Sequence, residues 1–473
     1  MKRLFALLFL AVAVLPAYAA KENYRITLTI EGSTDSMLLM GNYYGKGTYA
    51  IDTAFLDKKG RYIFSSTTKE LLPGLYFFAN KSGKYVEFVV YNEKPFFEFS
   101  TRNDDWHRYM KVKGSAENDA FYGFHHLQQQ AMLMSVPPAN PDSATYTAFM
   151  RRQGMMMDSL RRDFIARNPD RMISRMMMAT KEPEVPATDS AGNPLDNRGR
   201  WEYFVAHYFD NMPLDDDFLV RTPQAVFHDR VMDYCDKYMQ GAPPDIIIPY
   251  LDAMLDRAKA SKENFRYLLH TITEHYLQSN IMVYDAIYVH LVLKYYAEGD
   301  AWWMTPSDVE TEVDRAARWD KLLVGRDAPE LVLYDTLQQG HSLHAMPNQF
   351  TLLIFWSPSC GHCQTEIPAL YEKFRAMRQQ YDIGGFAILT EFDDETTVKW
   401  KRFIKEHGLD WINMSGAVAN VDWHDVYDVT STPQIYLLDK DKTILAKKLN
   451  ANSFEQIMQA IAKERGLPTI TTQ

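Results

Sequence analysis

Seven consecutive residues with one hydroxyl among them, Phe350-Thr351-Leu352-Leu353-Ile354-Phe355-Trp356, run through Ser357-Pro358-Ser359 into Cys360-Gly361-His362-Cys363. An apolar run of this length reads as a central strand buried on both faces. The tetrapeptide after it opens a helix, and positions i and i+3 of a helix put both sulfurs on one side, at a backbone separation suited to a disulfide. Cys360 falls at the helix N-terminus, where unpaired backbone N–H groups and the helix dipole favour a thiolate. The spacing therefore predicts Cys360 as an exposed, low-pKa nucleophile and Cys363 as a recessed resolving thiol. His362 can add positive charge beside the thiolate, which favours the reduced form and makes the couple more oxidising.

Around this turn, short apolar strands alternate with helical segments. Strands are expected at 331–333, 350–356, 385–390, 433–438 and 444–449, and helices at 360–381, 396–407 and 453–465. That alternation argues for a mixed sheet covered on both faces, an α/β domain over residues 324–473.

Upstream the periodicity differs. Tyr24, Ile26, Leu28 and Ile30 alternate with Arg25, Thr27 and Thr29, the signature of a strand with one buried face. Six similar runs follow at 37–40, 49–55, 62–64, 75–78, 85–90 and 96–99, separated by turns such as Asp57-Lys58-Lys59-Gly60 and Pro73-Gly74. Seven short strands at this spacing predict an antiparallel β-sandwich over residues 20–115. From 116 to 323 the period becomes helical: Phe121, Phe124, Leu127 and Ala131 share one face, and Tyr284, Ile287, Leu291 and Tyr295 another. A loop at 181–200, with Pro183, Pro186, Gly192 and Pro194, interrupts this all-α middle domain. Ten of the 24 methionines fall between Met132 and Met178. Without a Met-x-Met ladder and histidines they read as adaptable packing, not as a Cu(I) site. Cys235 stands alone on a helical stretch and reads as a small buried hydrophobe, though a third redox cysteine is the alternative.

The first nineteen residues read as a signal peptide. Lys2 and Arg3 precede an apolar stretch from Leu4 to Leu15, and Ala17-Tyr18-Ala19 fits a cleavage site near Ala19. Twelve apolar residues are too few for a span, which needs about 20, so the mature chain is expected to be exported, periplasmic and not stably inserted in a membrane. Disulfide chemistry persists in that compartment. A net charge of −10, with no Lys/Arg-rich run, argues against nucleic acid as a partner. A hydrophobic share of 46% leaves enough for buried cores and excludes wholesale disorder. Three cysteines, Cys235, Cys360 and Cys363, are too few for a disulfide-stapled scaffold. No glycine-rich phosphate loop or Ser/His/Asp hydrolase signature is present, and no cofactor is expected. His341 and His344 with the two cysteines would make a Cys₂His₂ zinc inventory, but the histidines fall in a hairpin and the cysteines at a buried strand's end, so no metal is assigned.

The segment Phe355-Trp356-Ser357-Pro358-Ser359-Cys360-Gly361-His362-Cys363-Gln364-Thr365-Glu366-Ile367-Pro368 resembles the active-site segment of thioredoxin-fold proteins of the TlpA/ResA branch. Ala328-Pro329-Glu330-Leu331 resembles that branch's first strand, and Ser431-Thr432-Pro433 sits where the fold carries its cis-proline loop. The resemblance covers about a third of the chain. It implies a thiol–disulfide oxidoreductase that works through a mixed disulfide on Cys360, with Cys363 resolving it. Its partners would be protein thiols and disulfides, and a membrane redox protein would recycle the pair. Pro433 would be the cis-proline, Thr432 would pair through its backbone with an extended substrate, and Glu366 would take the proton of Cys363 during resolution. His362, Thr432 and Trp356 would modulate the couple. Two departures stand out: the central strand has no buried Asp, and His362 replaces the branch's frequent proline, as in protein disulfide isomerase. These leave the direction of electron flow open. The upstream segments, with Asp52-Thr53-Ala54, Pro73-Gly74-Leu75-Tyr76 and Gly114-Ser115-Ala116-Glu117-Asn118, resemble uncharacterised β-domains fused to such modules in Bacteroidetes-type exported proteins, followed by an equally uncharacterised helical module. The competing expectation is an envelope binding or scaffold protein whose redox module only services a bound partner.

Overall fold

The structure, a computed structural model, describes residues 21–135, 139 and 142–468. The expected signal peptide and its cleavage site lie outside the described residues. Two compact units divide the chain: residues up to 240 with 254–267, and residues 241–253 with 268 onward.

In the first unit, eight strands form two four-stranded sheets. The strands are β1 (Tyr24–Glu31), β2 (Met37–Tyr44), β3 (Gly47–Phe55), β4 (Arg61–Ser66), β5 (Gly74–Ala79), β6 (Tyr85–Val90), β7 (Phe96–Arg102) and β8 (Lys111–Lys113). One sheet runs β4-β1-β7-β8, the other β3-β2-β5-β6. Phe64 and Phe99 of the first pack against Phe78 and Phe88 of the second, with ring centroids 5.2–5.8 Å apart across the sheets, which makes the sandwich core aromatic. All pairings are antiparallel except β1 with β7, which run parallel. β8 was not expected, because Lys111-Val112-Lys113 is too short to show a period.

Helix α1 (Ala116–Met134) is capped by Ser115, whose side chain accepts from the Asn118 N–H. Asn118 is fully buried and bonds both backbone groups of Val89, which fixes the helix to strand β6. Phe121 and Phe124 are buried as expected, but Leu127 is 47% exposed: the predicted face is covered only through the first turns. α2 (Ser143–Arg167) buries only Phe164, and Met150 and Met155 stay exposed, so the methionines sit more on surfaces than in a core. α3 (Met172–Ala179), α4 (Asn197–His207) and α5 (His228–Asp233) follow. α5 continues into a π-turn that buries Cys235.

Beyond come α6 (Pro244–Ala258), α7 (Lys262–Leu277), α8 (Asp285–Leu291) and α9 (Pro306–Asp320). The face Tyr284, Ile287, Leu291 and Tyr295 is buried throughout. In the second unit, α8 and α9 pack with a seven-stranded mixed sheet. Its strands are β9 (Val332–Asp335), β10 (Gly340–Ser342), β11 (Phe350–Trp356), β12 (Ile383–Leu389), β13 (Ile412–Ala419), β14 (Gln434–Asp439) and β15 (Ile444–Lys447), in the order β10-β9-β13-β12-β11-β14-β15. Helices α10 (Gly361–Tyr381), α11 (Asp394–His407), α12 (Trp423–Val426) and α13 (Ala451–Glu464) complete it. β11 is buried at all seven positions, parallel to β12 and antiparallel to β14. Leu352, Ile354 and Trp356 share a core with Leu370 and Phe374 of α10 and Phe454 and Met458 of α13. Leu353 and Phe355 face Trp423, Tyr427 and Tyr436 on the opposite side. The arrangement is the thioredoxin-like α/β fold, and the whole is multi-domain with a β-sandwich, a helical middle and this C-terminal sheet.

β10, β13 and α12 were not anticipated. β13 buries only Met414 and Gly416 of its eight residues. Gly416 is required there, since a Cβ would lie 2.6 Å from the Leu389 carbonyl and 2.7 Å from the Trp423 ring.

Candidate active site at the Cys360–Cys363 turn

Strand β11 delivers the chain into Ser357, fully buried, whose hydroxyl donates to Glu391 (2.7 Å). The same hydroxyl accepts the Ser359 N–H (3.1 Å), and the Gln364 side chain donates to the Pro358 carbonyl (2.9 Å). These bonds hold the turn so that Cys360 caps α10 with extended backbone, φ −80° and ψ 120°. Both cysteines are free thiols. Cys360 is partly exposed and Cys363 wholly buried at the first turn of the helix.

The Thr432–Pro433 bond is cis, and the Cys360 thiol donates to the Thr432 carbonyl at 3.2 Å. Partial burial opposes ionisation of Cys360. Hydrogen bonds from the Thr432 side chain, the Cys363 N–H and thiol, and the His362 N–H outweigh it and hold its pKa below the ordinary thiol value. Burial pushes Cys363 the other way, up to about 12, against the Ser357 N–H and with help from its neighbour Cys360. One sulfur thus ionises more readily than an ordinary thiol and the other less readily, the division of labour that an attacking and a resolving thiol require.

The remaining sequence-derived positions fall around this pair. His362 is exposed beside Cys360. Trp356 is fully buried beneath the turn, with its ring on Phe403 at 5.2 Å. Glu366 lies one turn beyond Cys363 and accepts the Ala451 N–H, tying α10 to the start of α13. His341 is held by Asp335 (3.0 Å) and His344 by the Ala328 carbonyl (2.7 Å), so neither points to the cysteines.

Sequence reasoning missed Ser357 and Glu391, which fix the turn, and the groups of α8 and α9 that reach the cis-proline loop. Trp319 of α9 donates to Asp428 (2.6 Å), and Arg318 pairs with the same carboxylate (3.4 Å). Asp428 stands just ahead of the loop and takes a positive φ of 46°. Asp285 of α8 pairs with Lys447 of β15, both almost wholly buried. Only a fold-level alignment of α8 with β15 could have signalled these, because the partners are more than a hundred residues apart.

The chain matches three family models. "Domain of unknown function (DUF4369)" covers residues 24–121, "Domain of unknown function (DUF5106)" covers 155–314, and the AhpC/TSA family covers 324–447. Among curated proteins, the thiol-disulfide oxidoreductase ResA of Bacillus thuringiensis subsp. konkukian is 25% identical over 147 residues, 30% of this chain and 80% of ResA. ResA of Geobacillus kaustophilus is 26% identical over 144 residues, 29% of this chain and 78% of its own. Among solved structures, a thioredoxin-like protein from Bacteroides caccae is 20% identical, covering 59% of this chain and 98% of its own, with TM-score 0.48. A domain described as a "possible thiol-disulfide isomerase" from Cytophaga hutchinsonii is 32% identical over 30% of this chain and 96% of its own, with TM-score 0.28. Residues 324–447 match the AhpC/TSA family, and the chain carries a ResA-like, thioredoxin-fold thiol-disulfide oxidoreductase module.

Proposed function

We propose that the protein is exported to the periplasm and exchanges disulfides with envelope proteins through the Cys360–Cys363 couple, maintaining or repairing their disulfides. The observation that carries the reading is the asymmetry of the pair: a partly exposed sulfur with lowered pKa against the cis-proline loop, and a buried sulfur with pKa near 12 one helical turn below.

In the reducing direction, the Cys360 thiolate attacks one sulfur of a substrate disulfide. A Cys360–substrate disulfide forms and the other substrate sulfur leaves as thiolate. Cys363 then loses its proton, with Glu366 as the proposed acceptor, and attacks Cys360. The substrate's second sulfur leaves, the protein holds a Cys360–Cys363 disulfide, and two electrons have passed to the substrate. Oxidation of a substrate dithiol is the same path reversed. Thr432, whose carbonyl touches Cys360, would pair with an extended substrate strand, and Pro433 keeps that edge open. A membrane redox protein would return the couple to its working state.

Turnover of a protein disulfide such as that of insulin, with wild type and Cys360→Ala, tests this directly. Loss of exchange in the variant is expected, and a fully active Cys360→Ala would overturn the reading.

A further inference from the structure

A cavity of about 370 Å³ opens beside the cis-proline loop. Ser431, Pro433 and Gln434 form one wall, and Trp319 and Asp285, carried by α9 and α8, form the other. It is not a gap left by poor packing. Trp319 is held in place by its bond to Asp428, and the Lys447 ammonium donates to the Leu322 carbonyl at 2.7 Å while pairing with Asp285. Asp285 is 3% exposed, yet its Oδ1 has no hydrogen-bond partner. A buried acceptor left in this state is costly unless a donor arrives.

The charges around it decide what kind of donor. Lys447 and Lys448 both line the cavity, and of the two carboxylates there, Asp285 is paired with Lys447 and Asp428 with Arg318. An entering cation would meet two lysines. An entering anion would face Asp285 and lose its hydration. An uncharged hydroxyl or carboxamide satisfies Oδ1 and adds no charge. Lys448, exposed at the rim, lies 5.8 Å over the Trp319 ring and donates to the Ser279 carbonyl at 3.3 Å, so its charge stays at the edge of the cavity.

We infer that this cavity is a specificity pocket for the exchange reaction, taking an uncharged, hydrogen-bond-donating side chain that flanks the substrate's cysteine as the substrate strand lies along Thr432. The inference rests on the exchange chemistry proposed for Cys360. Volume permits it: 370 Å³ is at the small end of ligand pockets and suits one side chain. Asp285 and Trp319 come from the segment that otherwise carries no visible chemistry, and this gives the helices next to the redox module a role as readers of substrate.

The test uses the full mature chain and peptide disulfides in isosteric pairs, Thr against Val and Tyr against Phe next to the cysteine, with 2-hydroxyethyl disulfide as a substrate lacking any flanking side chain. Wild type is expected to favour the hydroxyl member of each pair about tenfold or more in kcat/KM, as sites with buried polar groups reject analogues that leave them unpaired. The ratio should fall to near one in Asp285→Leu with Lys447→Met, a double substitution that removes both buried charges together and so protects folding. Equal use of both members by wild type, or a preference that survives in the double variant, overturns the pocket while exchange with 2-hydroxyethyl disulfide continues. Absence of all exchange, including with that small disulfide, would instead defeat the reading at Cys360 and the pocket with it.

Discussion

The Cys360 sulfur lies 3.2 Å from the Thr432 carbonyl, across 72 residues of chain, at the residue just before Pro433. That contact joins the two halves of the site: the nucleophile that β11 and α10 supply, and the loop ahead of β14 that would receive a substrate strand. It also separates the fates of the two cysteines.

Cys363→Ser should therefore arrest exchange after the first step. Cys360 can still attack a substrate disulfide, but nothing resolves the product, so a mixed disulfide should accumulate and be visible by mass as a protein–substrate adduct. Cys360→Ser should form none. An adduct on Cys363 in the second variant would reverse the assignment.

The opposed shifts of the two thiols predict a split in pH dependence. The thiolate is the reactive form, so a pKa below the ordinary value moves Cys360 alkylation by iodoacetamide to lower pH, with its midpoint below an ordinary thiol's value of about 8.5. Cys363, pushed to about 12, should stay unalkylated in the folded protein through pH 10. Rates read by peptide mass spectrometry from pH 5 to 10 check this, and equal reactivity of the two would contradict it.

Glu366→Gln keeps an acceptor for the Ala451 N–H and removes only the basic carboxylate. Formation of the mixed disulfide should be unchanged, while its resolution slows on the order of 10²-fold, the low end for loss of a general base. Stopped-flow separation of the two phases measures it. Unchanged resolution would leave Glu366 with its tie to α13 alone.

Asp285→Ala strands a buried ammonium. Lys447 is 7% exposed in its side chain and would keep only carbonyl partners, so the second unit should lose about 3–5 kcal/mol in urea unfolding. Asp285→Leu with Lys447→Met should recover most of that loss. A single variant as stable as wild type would show that the pair is not buried in solution.

The sequence made the redox half of this site legible for physical reasons. An apolar run such as Phe350–Trp356 has few alternatives to a central strand, and a Cys-x-x-Cys at its end can only sit on the helix that follows. Strand β13 was illegible because Asn413, Ser415, Gly416 and Ala417 give no alternation, and its pairing is set by β12 and β9 on either side. The face predicted on α1 failed at Leu127 because periodicity shows which residues share a side and not how far a neighbour extends along it. Asp285, Trp319 and Asp428 were silent for a third reason. Single charged or aromatic residues on helices are ordinary, and only the packing of α8 and α9 against β15 and the cis-proline loop gives them meaning.

The account stands on Cys360 and Cys363 acting as one reversible couple. Equilibrating the purified protein in glutathione buffers, trapping thiols with a size-shifting alkylator and mapping the modified peptides reads this directly. The prediction is that Cys360 and Cys363 oxidise together as a two-electron couple, about 30 mV per tenfold change in the thiol–disulfide ratio, while the buried Cys235 stays a thiol. A Cys360–Cys363 pair that stays reduced across the whole range, or a disulfide that joins either sulfur to Cys235, would contradict it.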